Sequence, residues 1–175
     1  MLTRLFFALL PDSATREHLR AAAVLELPQR ARAVAPENFH ITLAFVGEIP
    51  NADLLAFREM GARLCLRRCA IALDSFEYWR KSQAMVLAAQ NNPPELAEAA
   101  DALRLAVAVR VPPRRDDKPW RAHVTLARKV AQAPVLKAML PITWTSDSFC
   151  LMSSKIGGNG SVYTVVESWS LLDKP

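Results

Sequence analysis

Histidine and cysteine are both scarce in this 175-residue chain, at three residues each. Cys65, Cys69 and Cys150 are too few and too odd in number to staple a fold, so a disulfide scaffold is excluded. Cys65 and Cys69 lie four apart with no CxxC, and they read as free thiols in a reducing compartment rather than metal ligands. Glycine is also rare. Its one dense stretch, Gly157-Gly158-Asn159-Gly160, lacks the lysine and following helix of a phosphate-binding loop and reads as a hairpin connection. No apolar run approaches the roughly 20 residues that span a bilayer, and residues 5–11 lack a signal-peptide pattern. These absences leave a cytoplasmic protein that needs no membrane, no metal and no cofactor.

What remains is ordinary globular material, 51% hydrophobic and 22% charged, which excludes disorder for the bulk of the chain. The length suits one domain over residues 1–175, and no low-complexity linker divides it. The net charge of +5 favours a polyanionic partner. Arg67-Arg68, Arg80-Lys81, Arg114-Arg115 and Arg128-Lys129 form its local clusters.

Apolar patterning predicts strands over 4–10, 39–46, 71–79, 84–89, 123–128, 143–153 and 162–172. Helices are expected over 13–27, 52–68 and 95–109, the first capped by Asp12 or Ser13 and the third opened by Pro93-Pro94. This order lacks strict βαβ alternation and predicts an α+β fold with largely antiparallel sheet.

One internal repeat dominates. His40-Ile41-Thr42-Leu43-Ala44 recurs 83 residues later as His123-Val124-Thr125-Leu126-Ala127. Two of three histidines opening the same pattern by chance has a probability on the order of 10⁻⁶ when positions are treated as independent. In a strand, residues i and i+2 share a face. His and Thr therefore point one way, while Ile41, Leu43, Val124 and Leu126 point to the core. Two imidazoles can divide the work of base and acid, and two hydroxyls can hold phosphoryl oxygens. The chemistry that fits is acid–base cleavage of a phosphodiester without metal.

The paired HxTx motifs resemble the 2H phosphoesterase superfamily, in particular its bacterial and archaeal RNA 2′,3′-cyclic phosphodiesterase (2′-5′ RNA ligase) branch. Arg4-Leu5-Phe6-Phe7-Ala8-Leu9 is similar to that family's opening strand. The stretch from Asn38 to Glu48 is similar to its first motif and Trp120 to Arg128 to its second, while Gly160-Ser161-Val162-Tyr163 with Trp169 fits its closing hairpin. Ala122 departs from the branch's usual proline before the second histidine, a change expected to loosen that loop. The resemblance implies two pseudo-symmetric lobes of antiparallel sheet with outer helices and a cleft between them. It also implies that His40 is the proton donor and His123 the proton acceptor, that Thr42 and Thr125 bind phosphate, and that a monomer acts on RNA ending in a 2′,3′-cyclic phosphate, such as a tRNA fragment, to leave a 2′-phosphomonoester. Alternative readings are 2′-5′ RNA ligation and a non-catalytic module that binds RNA ends.

Other residues carry weaker signals. His18 has no partner motif and reads as a surface residue on the first helix. Arg128 is a candidate substrate contact, yet a regular strand would point it away from His123; a bulge would reverse that. Arg114, Arg115, Lys118 and Arg121 can track an RNA backbone. Phe7, Tyr78 and Trp79 can stack on a base, although core packing is the better reading of each.

Overall fold

The computed structural model describes residues 1–27, 31–112, 119–135, 139–157 and 160–173. Arg114, Arg115 and Lys118, and the hairpin residues Gly158 and Asn159, lie outside the described residues. The elements run β1 (Leu2–Leu9), α1 (Ser13–Glu26), β2 (Arg32–Ala33), β3 (Ile41–Pro50), α2 (Leu54–Ala62), β4 (Ala70–Leu73), β5 (Ser75–Trp79), β6 (Ala84–Ala88), α3 (Pro94–Ala108), β7 (His123–Arg128), β8 (Ile142–Thr145), β9 (Ser148–Gly157) and β10 (Gly160–Ser170). The fold is α+β and dominated by antiparallel sheet.

Local chemistry sets the helix starts. The Asp12 carboxylate accepts the Thr15 N–H at 2.7 Å and caps α1, and that bond holds the Asp12 pKa below its ordinary value. In α3, Pro94 stands in the first turn, where no N–H partner is needed, and Leu96, Ala99, Ala100, Leu103 and Val107 form one buried stripe.

The two lobes of antiparallel sheet are joined into one eight-stranded sheet in the order β10-β9-β1-β3-β7-β6-β5, with β2 also paired to β7. Its two halves meet where β3 and β7 share a single residue pair, Ile41 opposite Val124. The helices are exchanged across that seam. α3 follows β6 in sequence yet packs on β3, while α1, from the first half, lies against β7 and β8. One face of the sheet buries the main core, including Leu5, Phe7, Leu43, Leu126, Phe149 and Trp144. The other face carries two small apolar clusters, Phe6–Ala8–Cys150–Met152 and Ala84–Val86–Ala88 with Trp79.

Three expected elements stop or break early, and one short strand is added. The second helix stops at Ala62 rather than Arg68, because residues 66–68 bond instead to the backbone of Leu172: the Leu172 N–H reaches the Leu66 carbonyl and the Arg68 N–H the Leu172 carbonyl. The strand over 71–79 breaks at Asp74, whose carboxylate accepts the Gln90 N–H; β4 leaves to pair with β8 in a separate ribbon, and β5 stays with β6. The strand over 143–153 breaks at Ser146, whose hydroxyl donates to the Ser148 carbonyl. The short β2 carries no pattern of its own and exists because β7 offers an open edge there.

Candidate active site

Both motif strands begin with the same device. The Nδ1 of His40 lies 2.6 Å from the Asn38 carbonyl oxygen, and the Nδ1 of His123 lies 2.8 Å from that of Arg121. A carbonyl only accepts, so Nδ1 carries the proton in each neutral ring and Nε2 is left as the titrating atom. The antiparallel pair Ile41–Val124 then fixes the layout. One step along the same register sets His40 opposite Thr125 and Thr42 opposite His123. Ile41 and Val124 are fully buried in the core, so the four polar side chains share the other face. Neither threonine hydroxyl has a side-chain hydrogen bond among the described residues, although Thr42 is only 8% exposed.

Each motif strand also contains a bulge just after its threonine. In β3, Leu43 and Ala44 both turn to the core, because Ala8 pairs with Thr42 and Phe7 with Ala44. In β7, Val86 pairs with Thr125 and Met85 with Ala127, so Leu126 and Ala127 both turn inward. The extra residue reverses the alternation beyond it. Phe45 and Arg128 are thereby delivered to the histidine face. Phe45 is 60% exposed beside Phe6, and the charge of Arg128 reaches both histidines. Arg128 thus joins the site through the bulge.

The loop before His123 is held by Asn92, whose amide donates to the Trp120 carbonyl and whose oxygen accepts the Ala122 N–H. The expectation of a loosened loop is corrected here, because Ala122 uses a donor that proline would lack. The Trp120 indole N–H reaches the Thr42 carbonyl at 3.0 Å and ties the second motif's loop to the first motif's strand.

The surroundings of the two imidazoles differ. His40 sits among aromatics, with Phe6 at 5.0 Å and Tyr163 edge-on at 5.1 Å between centroids. Trp79 lies 4.3 Å from His123. Glu77 accepts from the Trp79 indole at 2.9 Å and pairs with the Arg121 guanidinium at 2.5 Å, so one carboxylate braces both neighbours of His123. Burial pushes the His40 pKa down from 6.5 to about 4, helped by the charges of His123 and Arg128 and opposed by the Asn38 carbonyl. Burial lowers His123 as well. The Arg121 carbonyl opposes that shift, Arg128 adds to it, and Glu77 pulls the other way.

The weaker candidates divide. His18 is exposed on α1, as expected. Phe7 is fully buried against Trp169, and the Tyr78 hydroxyl donates to the Val130 carbonyl, so neither is offered to a base; Trp79 is in the site. Arg121 is spent on Glu77 and on the Ala89 carbonyl, which makes it a brace rather than a free RNA contact. None of the three cysteines is in a disulfide. Sequence reasoning missed Glu77, Phe6, Phe45 and Asn92, whose relation to the motifs exists only in three dimensions. No group of three or more His, Cys, Asp or Glu among the described residues is placed to hold a metal ion, and no described helix is long and apolar enough to cross a membrane.

The sequence profile of the 2′-5′ RNA ligase superfamily matches residues 10–157. The chain belongs to that superfamily. Among characterised members, it is 32% identical to the RNA 2′,3′-cyclic phosphodiesterase of Thermus thermophilus, over 96% of this chain and 90% of that protein. It is 28% identical to the RNA 2′,3′-cyclic phosphodiesterase of Escherichia coli, over 96% of both chains. Among solved superfamily structures, E. coli LigT complexed with 3′-AMP superimposes with a TM-score of 0.89 at 26% identity, covering 98% of this chain and 99% of that one.

Proposed function

We propose that this chain is a metal-independent RNA 2′,3′-cyclic phosphodiesterase that opens terminal cyclic phosphates to 2′-phosphomonoesters. The observation that carries the reading is the set of four side chains on one face, with both Nδ1 atoms capped and both Nε2 atoms free. Water attacks phosphorus and gives its proton to Nε2 of His123. The P–O3′ bond breaks, and O3′ leaves with the proton from Nε2 of His40. Thr42, Thr125 and Arg128 meet the charge on the nonbridging oxygens, a task that otherwise falls to a metal.

The protonation states suit one half of this scheme before substrate arrives. With its pKa lowered, His123 is neutral near pH 7 and ready to act as base. His40 is also neutral there and acts as acid only once it is protonated. A bound phosphodiester supplies the negative charge that raises its pKa. The enzyme works as a single domain, a monomer in the cytoplasm, on RNA ends such as those of tRNA fragments.

The test is product analysis on an oligonucleotide ending in a 2′,3′-cyclic phosphate, in buffer treated with EDTA. A 2′-phosphate that resists a 3′-specific phosphatase is expected. Loss of activity restored only by a divalent ion would overturn metal independence, and a dominant 3′-phosphate would reverse the donor and acceptor. The superfamily's name favours a second reading, 2′-5′ joining, since the same acid and base serve the reverse transesterification. Adding an acceptor RNA with a 5′-hydroxyl separates the two, and binding without turnover would mark a non-catalytic module.

A further inference from the structure

β2 is two residues long, yet it places Arg32 directly across from Arg128. Opposed residues of an antiparallel pair share a face, and like charges there repel. Ala33 pairs with Ala127, which is buried in the core, so Arg32 and Arg128 point to the opposite side, the side of the histidines. Both arginines are exposed. The ion pairs among the described residues use other arginines: 20, 58, 63, 68, 104 and 121. Two unneutralised guanidiniums held side by side at the end of a catalytic strand form a site suited to an anion.

The geometry also separates their roles. Arg128 lies on the same strand as His123 and its charge reaches both histidines, whereas Arg32 stands across from it on the neighbouring strand β2. We infer that Arg32 and Arg128 form a clamp for the RNA backbone: Arg128 meets the reacting phosphate, and Arg32 binds the next phosphodiester of the strand. The inference rests on the proposed phosphodiesterase reading. It makes Arg32 the residue that distinguishes an RNA end from a free cyclic mononucleotide.

The test compares two substrates, a nucleoside 2′,3′-cyclic phosphate and a short RNA ending in the same group. Arg32→Gln is expected to lower kcat/KM about tenfold more on the RNA than on the mononucleotide, mainly through KM. It should also flatten the dependence of log KM for RNA on log salt by about 0.7, the value for one phosphate contact on a single strand. Arg128→Gln should impair both substrates. Equal loss on both substrates with Arg32→Gln, or no loss on either, overturns the clamp. If the wild-type protein turns over neither substrate, the phosphodiesterase reading fails by itself. The clamp is then decided by affinity for an RNA ending in a 3′-phosphate, where an unchanged salt slope in Arg32→Gln refutes it and a slope smaller by about 0.7 supports it.

Discussion

The two motif strands share a backbone and differ in their neighbours. Each places a histidine whose Nδ1 is held by the carbonyl two residues earlier, then a threonine, then a bulge over Leu-Ala. Around His40 the duplicated frame is lined with Phe6, Tyr163 and Phe45; around His123 it is lined with Trp79, Arg121, Glu77 and Arg128. The repeated residues set where the two imidazoles and the two hydroxyls stand. The unrepeated ones set their proton affinity, so a symmetric scaffold produces two unequal imidazoles.

The sharpest test of that inequality removes each histidine in turn. His40→Ala and His123→Ala should each cost about 10²–10⁴-fold in turnover, with both variants folded by circular dichroism. If the roles are acid and base, a substrate analogue whose 3′ leaving group needs no proton should restore much of the activity of His40→Ala and none of that of His123→Ala. Equal rescue of both would erase the distinction.

A second effect appears in stability rather than rate. The folded pKa of His40, about 4, lies below its ordinary 6.5, so the unfolded chain takes up its proton first as pH falls. Stability associated with neutral His40 is therefore complete above pH 6.5 and is lost progressively towards pH 4, by about 3 kcal/mol at the limit. Urea unfolding at several pH values should show that His40→Gln removes this part of the slope. An unaltered slope would mean that His40 is not the buried, depressed group.

Thr42→Val and Thr125→Val should each lower kcat by about 10- to 100-fold, the size of one hydrogen bond to a charged group. The smallest expected effect belongs to Glu77→Gln, at about 1 kcal/mol in the barrier, or roughly fivefold. It should move the titration of His123 downward, observed by NMR of the imidazole, and leave His40 in place. A shift at both histidines would show that Glu77 acts on the whole cleft.

The residues that lie in the repeat were legible in the sequence, and so was the face they share, because period-two alternation separates Ile41 and Leu43 from His40 and Thr42. The orientation of Arg128 was not. It depends on β6 being one residue shorter than β7 across the bulge, a relation between two strands that neither sequence contains. Glu77 was hidden for a similar reason, since it reaches His123 only after β5, β6 and β7 have paired. The end of α2 was set by Leu172, more than a hundred residues away, which no local propensity anticipates.

The exchanged helices have a consequence for how this molecule comes apart. α3 covers β3 and α1 rests on β7 and β8, so each half of the sheet keeps its apolar face dry only while the other half is present. Cutting the chain near residue 91 would not yield two smaller folded units but two fragments that must find each other to fold. Denaturation should then be a single cooperative event. Amide protons of β1 and β6, the strands beside the two motifs, should lose protection from exchange at the same denaturant concentration, although they lie in different halves.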